Sequence, residues 1–575
     1  MTLTALRPGS PTHPASDLDA RAPRRRISPE RICATLTLLV IAGLAVAALI
    51  DLDITFAGVA GSIDSAENFF GRVGGLRFPE PAELLRLTVL TVGLVATGTL
   101  LAAALSVPVA YLAASNTTPH STARAVARFI GVFTRALPDV VLAMVFVLMF
   151  SLGTLPGILA IGIHSIGMIS KLFADAIEQI DEGPRLAIRA AGGTKLQEFV
   201  SGVLPQVLPS WVATVLHRND INLRGSVVLG YVGVAGLGLE MSHAFKSLDY
   251  GLGLGIALVI FLLCVGMEIV SSAVRVAMLG ETNAGRGVFV RLFTRRKTSA
   301  GRPSPSARRF ASAEQALRRP WTASRVRNTA AGWIAVAAVI GSVVVSDIIW
   351  ADFLAFWGRV PEVAASFWPP DFGSYGFAVI GAAMLDTIRI ALAATLITFV
   401  ISLVIGSLAA RNVAPNAGVQ GGFRLLLVII RGIPELILAI VLIIITGLGP
   451  QAGTIALAIG GIGLLGKLIA DSFEEVPRGP ERALLATGAS RLQMYAAATL
   501  PQGSRALIGH TFYMLDTNVR AATLLGIVGG GGVGYYLLNA GQGSNYPLVT
   551  SIVLMILVTV LVVEGIAMWM RQVFR

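Results

Sequence analysis

Residues 220–238 read DINLRGSVVLGYVGVAGLG, and residues 516–534 read DTNVRAATLLGIVGGGGVG. The two stretches lie 296 positions apart and share an Asp-x-Asn-x-Arg block followed by a run of glycines. At that offset no gap is needed from Thr91 to Gly238. Thr91 matches Thr387, Thr99 matches Thr395, Asn116 matches Asn412, and Arg135-x-x-Pro138 matches Arg431-x-x-Pro434. Lys171 and Asp175 match Lys467 and Asp471, and Leu204-Pro205-Gln206 matches Leu500-Pro501-Gln502. A repeat of this length is a duplicated structural unit.

The unit belongs in lipid. Of 575 residues, 54% are hydrophobic and 14% charged, with a mean hydropathy of +0.75, far above what a soluble surface tolerates. A span needs about 20 apolar residues, and an open chain satisfies its backbone in hydrocarbon only as a helix. Spans are expected near 32–50, 84–114, 129–150, 155–176, 207–229 and 251–278, and the series starts over near 330. The fold class is therefore all-α, with about twelve spans. The expected division is a tail over 1–31, a first half over 32–278, a basic linker over 279–328 and a second half over 329–575. An even number of spans per half makes the repeat parallel, with its axis along the membrane normal.

The formal charge of +12 is concentrated in the tail (Arg21, Arg24, Arg25, Arg26, Arg31) and the linker (Arg295, Arg296, Lys297, Arg308, Arg309, Arg318, Arg319). The positive-inside rule accounts for it without a nucleic-acid partner and places both termini in the cytoplasm. The acidic segment with Asp51, Asp53, Asp64, Glu67, Glu80 and Glu83 then falls outside. The first span follows its arginines without a cleavage site and is expected to stay as a signal anchor. Cys33 and Cys264 have neither metal-ligand nor disulfide spacing.

Between the fourth and fifth spans of each half runs a cytoplasmic loop, EQIDEGPRLAIRAAGGTKLQEFVSGVLPQ (178–206) and EEVPRGPERALLATGASRLQMYAAATLPQ (474–502). Gly-Pro starts a short amphipathic helix and a glycine stops it. The loop resembles the coupling loop of binding-protein-dependent ABC importers, whose pattern is Glu-Ala-Ala, three residues, Gly, nine residues, then Ile-x-Leu-Pro. Pro184, Ala187, Gly192, Leu204 and Pro205 carry the match in the first copy, and Pro480, Ala483, Gly488, Leu500 and Pro501 in the second. Leu186 and Arg482 stand where the family has its glutamate, with Glu481 one place away. The resemblance implies two separate ATPase subunits docking on these loops, with ATP and Mg held there and no cofactor on this chain. It also implies a periplasmic or lipid-anchored binding protein, a bacterial inner-membrane location and an alternating-access cycle.

The Asp-x-Asn-x-Arg block with its glycines is similar to the phosphonate-type branch of these permeases, and the similarity covers roughly 84–278 and 379–570. It implies a phosphorus oxyanion as substrate: phosphonate, phosphate or phosphite. Ionisable residues inside a span mark functional sites by default, which singles out Asp220, Asn222 and Arg224 with Asp516, Asn518 and Arg520 as the substrate pathway. Guanidinium forks suit phosphoryl oxygens. Asp220 and Arg224 are also four residues apart, so self-pairing for packing, or a gate, stands beside that reading. Gly233, Gly236 and Gly238, with Gly529, Gly532 and Gly534, are expected to form an irregular outer segment or a close helix contact. Arg135 and Arg431 read as anchors at cytoplasmic span ends, and Lys171–Asp175 and Lys467–Asp471 as structural pairs.

Gly461 to Lys467, GIGLLGK, is a near match to a phosphate-binding loop but ends in Leu468 and lies in an apolar span. No HExxH or GxSxG occurs, so neither a metal site nor a catalytic constellation is expected. Two other functions fit a parallel repeat. A 6+6 secondary anion transporter needs no matched coupling loops, and a membrane receptor or scaffold needs no transport.

Overall fold

The computed structural model describes residues 29–54, 67, 71, 73–150, 152–279, 323–447 and 449–574. All regular structure among them is helical, and Gly153 and Val234 form an isolated bridge. The first half supplies α1 (Pro29–Asp51), α2 (Pro81–Ala113), α3 (Ser121–Ala136), α4 (Asp139–Phe150), α5 (Leu155–Glu178), α6 (Glu182–Ala190), α7 (Leu204–Tyr231), α8 (Leu237–Lys246) and α9 (Tyr250–Leu279). The second supplies α10 (Ala323–Val345), α11 (Trp350–Ser366), α12 (Gly376–Ala409), α13 (Ala417–Gly432), α14 (Glu435–Thr446), α15 (Pro450–Glu475), α16 (Arg478–Ala486), α17 (Leu500–Ile527), α18 (Val533–Gln542) and α19 (Tyr546–Val573). The expectations for Arg21 to Arg26, for Asp64 and for the linker cations Arg295 to Arg319 lie outside the described residues.

Eight of the described helices are long and apolar enough to cross a membrane, and ten if each bent pair counts as one span. Within α10 the apolar piece is Val336–Val345, and α17 is interrupted by Arg505, Asp516 and Arg520. Neither belongs to that group.

The span expected over 129–150 is not straight. α3 and α4 meet at 83°, and α13 and α14 at 80°. The cause is local: Leu137 (φ −82°, ψ 122°) and Ile433 (φ −80°, ψ 121°) are extended, as the residue before a proline is driven to be, and the proline that follows has no N–H to continue the ladder. Arg135 and Arg431 therefore sit at elbows inside the bundle, with side chains 13% and 16% exposed, and not at span ends.

α2 lies along α5, and α12 along α15. Small residues set these distances: a Cβ on Gly98 would meet the Ile158 carbonyl at 3.0 Å, and one on Gly406 the Gly466 carbonyl at 2.7 Å. The first helix of each half is exchanged. α1 packs on α12 and α10 on α2. Asp51 reaches Arg389 at 3.3 Å, Ser346 reaches Thr97 at 3.1 Å, and the Thr154 hydroxyl donates to the Ser346 carbonyl. One apolar core draws on both halves. Toward the loops at 178–206 and 474–502 it gives way to two separate cores, one around Phe173 and Trp211, the other around Phe473 and Leu507.

Candidate functional site

On α7, Arg224 donates to Asp220 at 2.6 Å, and on α17 Arg520 donates to Asp516 at 2.8 Å, so one helical turn pairs each charge with its opposite. Between them, Asn222 donates to Thr99 and Asn518 to Thr395, both at 2.9 Å. The self-pairing reading is what the geometry contains.

The arginines also reach across the molecule. Arg224 donates to the Arg431 carbonyl at 2.9 Å and Arg520 to the Arg135 carbonyl at 3.3 Å. The elbow carbonyls are available because prolines follow at Pro138 and Pro434, breaking the helical ladder there. The elbow side chains then cross as well: Arg431 donates to Glu268 at 2.7 Å and lies 3.7 Å from Asp220, while Arg135 pairs with Glu564. Each half thus inserts its elbow arginine between the polar helix and the last helix of the other. Asp220 Oδ1, Asp516 Oδ1, Arg135 Nε, Arg224 Nε and Glu564 Oε2 are buried without a hydrogen-bond partner among the described residues.

Sequence reasoning missed Glu268 and Glu564. Both are charges in apolar helices, and they stand at the same 296-residue offset. Extending the repeat past Gly238 would have found them. Asp471, expected to pair with Lys467, engages Arg424 at 3.4 Å.

The two loops fold as expected from their spacing. Asp181 caps α6 by accepting from Gly183 N at 2.9 Å. Gly192 and Gly488, each at φ +80°, end α6 and α16. The next amides return to the Ile188 and Leu484 carbonyls at 2.9 and 3.1 Å. Capping boxes at Thr194–Gln197 and Ser490–Gln493 start the second segments, which widen into π turns before Leu204 and Leu500. Pro184, Ala187, Gly192 and Pro205 are exposed and Leu204 half-buried, and Pro480, Ala483, Gly488, Pro501 and Leu500 repeat that pattern. Leu196 and Leu492 are 71% and 75% exposed, apolar side chains left on the outer face of both loops.

Their anchors differ. In the first loop Asn116 donates to Glu182 at 2.7 Å, and Arg189 grips Glu198 at 2.9 Å. Burial alone would push the Glu182 carboxyl up, but hydrogen bonds from Asn116 and Arg185 and the charges of Arg185 and Arg189 outweigh it and hold it below its ordinary 4.5. In the second, Asn412 donates to Glu481 at 3.0 Å, and Glu481 accepts from Thr499 at 2.6 Å. Glu481, the residue next to the family's glutamate position, is turned toward its own loop.

The glycine runs make both a turn and a close contact. Gly233 and Gly236 have φ of +100° and +138°, whereas the second turn uses Gly529, Gly531 and Gly532 at +99°, +81° and +82°. Ala235, opposite Gly531, keeps the first turn from taking a left-handed residue there. Thr91 and Thr387 accept from Leu237 N and Val533 N, each at 2.9 Å, fastening the turns to α2 and α12. Beyond them a Cβ on Gly238 would meet the Val227 carbonyl at 2.8 Å, and Gly534 packs on the Thr523 carbonyl.

The helical bundle with two matched loops and two crossed arginine elbows is that of a membrane transport component. The chain belongs to the family described as binding-protein-dependent transport system inner membrane component, which matches it twice, over residues 106–277 and 402–575. It is 38% identical to the phosphate-import permease protein PhnE of Mycolicibacterium smegmatis over 517 residues, 89% of this chain and 90% of that protein. It is 39% identical to the phosphite transport system permease protein PtxC of Stutzerimonas stutzeri over 178 residues, 31% of this chain and 65% of that one. A protein of Escherichia coli K12 named as a cryptic phosphonate transport system permease is 41% identical over 92 residues, 16% of this chain and 75% of its own length.

Proposed function

We propose that this chain is the membrane-spanning part of an ATP-driven importer of phosphorus oxyanions, of the phosphonate, phosphate or phosphite class. One observation carries the reading: guanidinium–carboxylate pairs, Arg224–Asp220, Arg520–Asp516, Arg431–Glu268 and Arg135–Glu564, meet where the halves cross. A carboxylate and a phosphoryl group offer a guanidinium the same pair of acceptor oxygens, so an oxyanion in transit exchanges with the internal carboxylates. The names of the relatives support that chemistry.

In this reading two ATPase subunits, which hold ATP and Mg, dock on the exposed faces of the loops around Ala187, Gly192 and Leu196, and Ala483, Gly488 and Leu492. Their closure rocks the halves about the crossed elbows. A binding protein delivers the anion at the end where Gly233–Gly238 and Gly529–Gly534 turn. The membrane is the bacterial inner membrane, with both termini cytoplasmic. The test is a reconstituted complex supplied with loaded binding protein and each anion in turn. Arg224→Ala with Arg520→Ala is expected to abolish uptake while ATP hydrolysis by the partner subunits stays measurable. Uptake at the wild-type rate removes the pathway assignment.

A further inference from the structure

Arg218 lies on α7, and its side chain is nine-tenths buried, at 8% exposure. Its Nε donates to Ser165 Oγ at 3.0 Å. Neither terminal nitrogen donates to a described residue, and no carboxylate oxygen among the described residues comes within 4.0 Å. Arg135, Arg224, Arg431 and Arg520 all have a carboxylate within that limit. Arg218 alone among these five does not. Asp139, the first residue of α4, is an electrostatic neighbour, and its Oδ1 accepts from Val140 N at 3.0 Å.

A guanidinium cannot escape burial by losing its proton, and a charge taken out of water with no carboxylate in contact is destabilising. Such a group persists where a ligand supplies the missing charge. Tyr513 and Arg520, both on α17, also lie in its electrostatic neighbourhood. The repeat offers a built-in contrast: Met514 stands at the position of Arg218, Gly461 at that of Ser165 and Gly460 at that of His164. An oxyanion site that lies off the two-fold axis needs its cation in one copy only. Fusion of the halves lets one copy keep the cation and the other give it up.

We propose that Arg218 is a further guanidinium on the oxyanion's route, one that takes the anion without displacing a carboxylate, so that the two-fold frame carries one such site, built on the first half. Ser165 orients the fork from Nε and leaves both terminal nitrogens for phosphoryl oxygens. This rests on the oxyanion-importer reading. The same fork would accept phosphate, phosphite or a phosphonate, which share the tetrahedral head.

The test uses the full complex in vesicles, with its ATPases and loaded binding protein, and reads anion uptake per ATP hydrolysed for phosphate, phosphite and methylphosphonate. Arg218→Met, which copies the second half, is expected to lower that ratio at least tenfold while loaded binding protein still stimulates hydrolysis. Arg218→Lys, which keeps charge but loses the fork, is expected to fall between. An unchanged ratio in Arg218→Met overturns the proposal, as does a parallel loss of uptake and stimulated hydrolysis, which marks a structural role. If Arg218→Met does not assemble, Arg218→Lys decides, and a wild-type ratio there overturns it. Failure of the wild-type complex to take up any of the three anions instead overturns the importer reading.

Discussion

In the first half Asn222 is held from both ends, donating to Thr99 at 2.9 Å and accepting from Ser165 at 3.2 Å. In the second, Asn518 makes the matching bond to Thr395 at 2.9 Å, but Gly461 replaces the serine and Asn518 Oδ1 is sealed without a partner among the described residues. A second exchange accompanies it. His164 Nδ1 donates to the Leu137 carbonyl at 2.8 Å, whereas Gly460 leaves its space to the Glu435 side chain. The crossed elbows, by contrast, are built alike in both halves. The features that hold the halves together kept their symmetry after duplication, and the polar layer around Asn222 and Asn518 did not. A latch between halves needs both sides, because each elbow is gripped by the other half. A polar layer within one half is free to drift alone.

Cutting the latches gives the largest effect. Removing one partner of a buried ion pair costs about 3–5 kcal/mol when the survivor stays buried. Glu564 is 10% exposed and Glu268 29%, and Glu268 keeps Arg224 at 3.5 Å. Arg135→Ala is therefore expected to lower the melting temperature of the solubilised chain more than Arg431→Ala, with the two effects adding. Equal losses would mean that the latches are symmetric in energy as well as in position.

The asparagine layer is a sharper probe. Thr99→Val leaves Asn222 its bond from Ser165 and is expected to cost about 1 kcal/mol, while Thr395→Val strands Asn518 and costs about 1–3 kcal/mol. Chemical unfolding midpoints compare the two, and a larger loss at Thr99 would reverse the stated asymmetry.

The smallest effect lies in the loops. The Glu182 carboxyl is held below its ordinary value by Asn116 and Arg185, so its contribution is present above about pH 4.5 and is lost as pH falls through the lowered folded value. Amide exchange, corrected for its intrinsic pH dependence, is expected to quicken in residues 182–190 on acidification through that range, and Glu182→Gln is expected to remove the dependence. An identical acid response in the Gln variant would assign it to another group.

The repeat made the helices legible at once, because apolar runs, Gly-Pro starts and glycine stops act over a few residues. Gly192 and Gly488 end the loop helices where spacing puts them. The bend of α3 on α4 was written in Leu137-Pro138, yet the apolar run across it read as one span, since hydropathy carries no direction. Arg135 was misplaced with it. Glu268 and Glu564 looked like isolated charges because their partners, Arg431 and Arg135, are 163 and 429 residues away.

By itself the sequence determined that this is a duplicated helical membrane chain with two matched loops and a charged block in each half. Those features are periodicity and composition, which local backbone physics converts directly into helices and turns. Only the tertiary structure decided which charges meet, that each half lends its first helix and its elbow arginine to the other, and that no carboxylate among the described residues comes within 4.0 Å of Arg218. Partner choice depends on the geometry of helices far apart in the chain, and no local pattern encodes it.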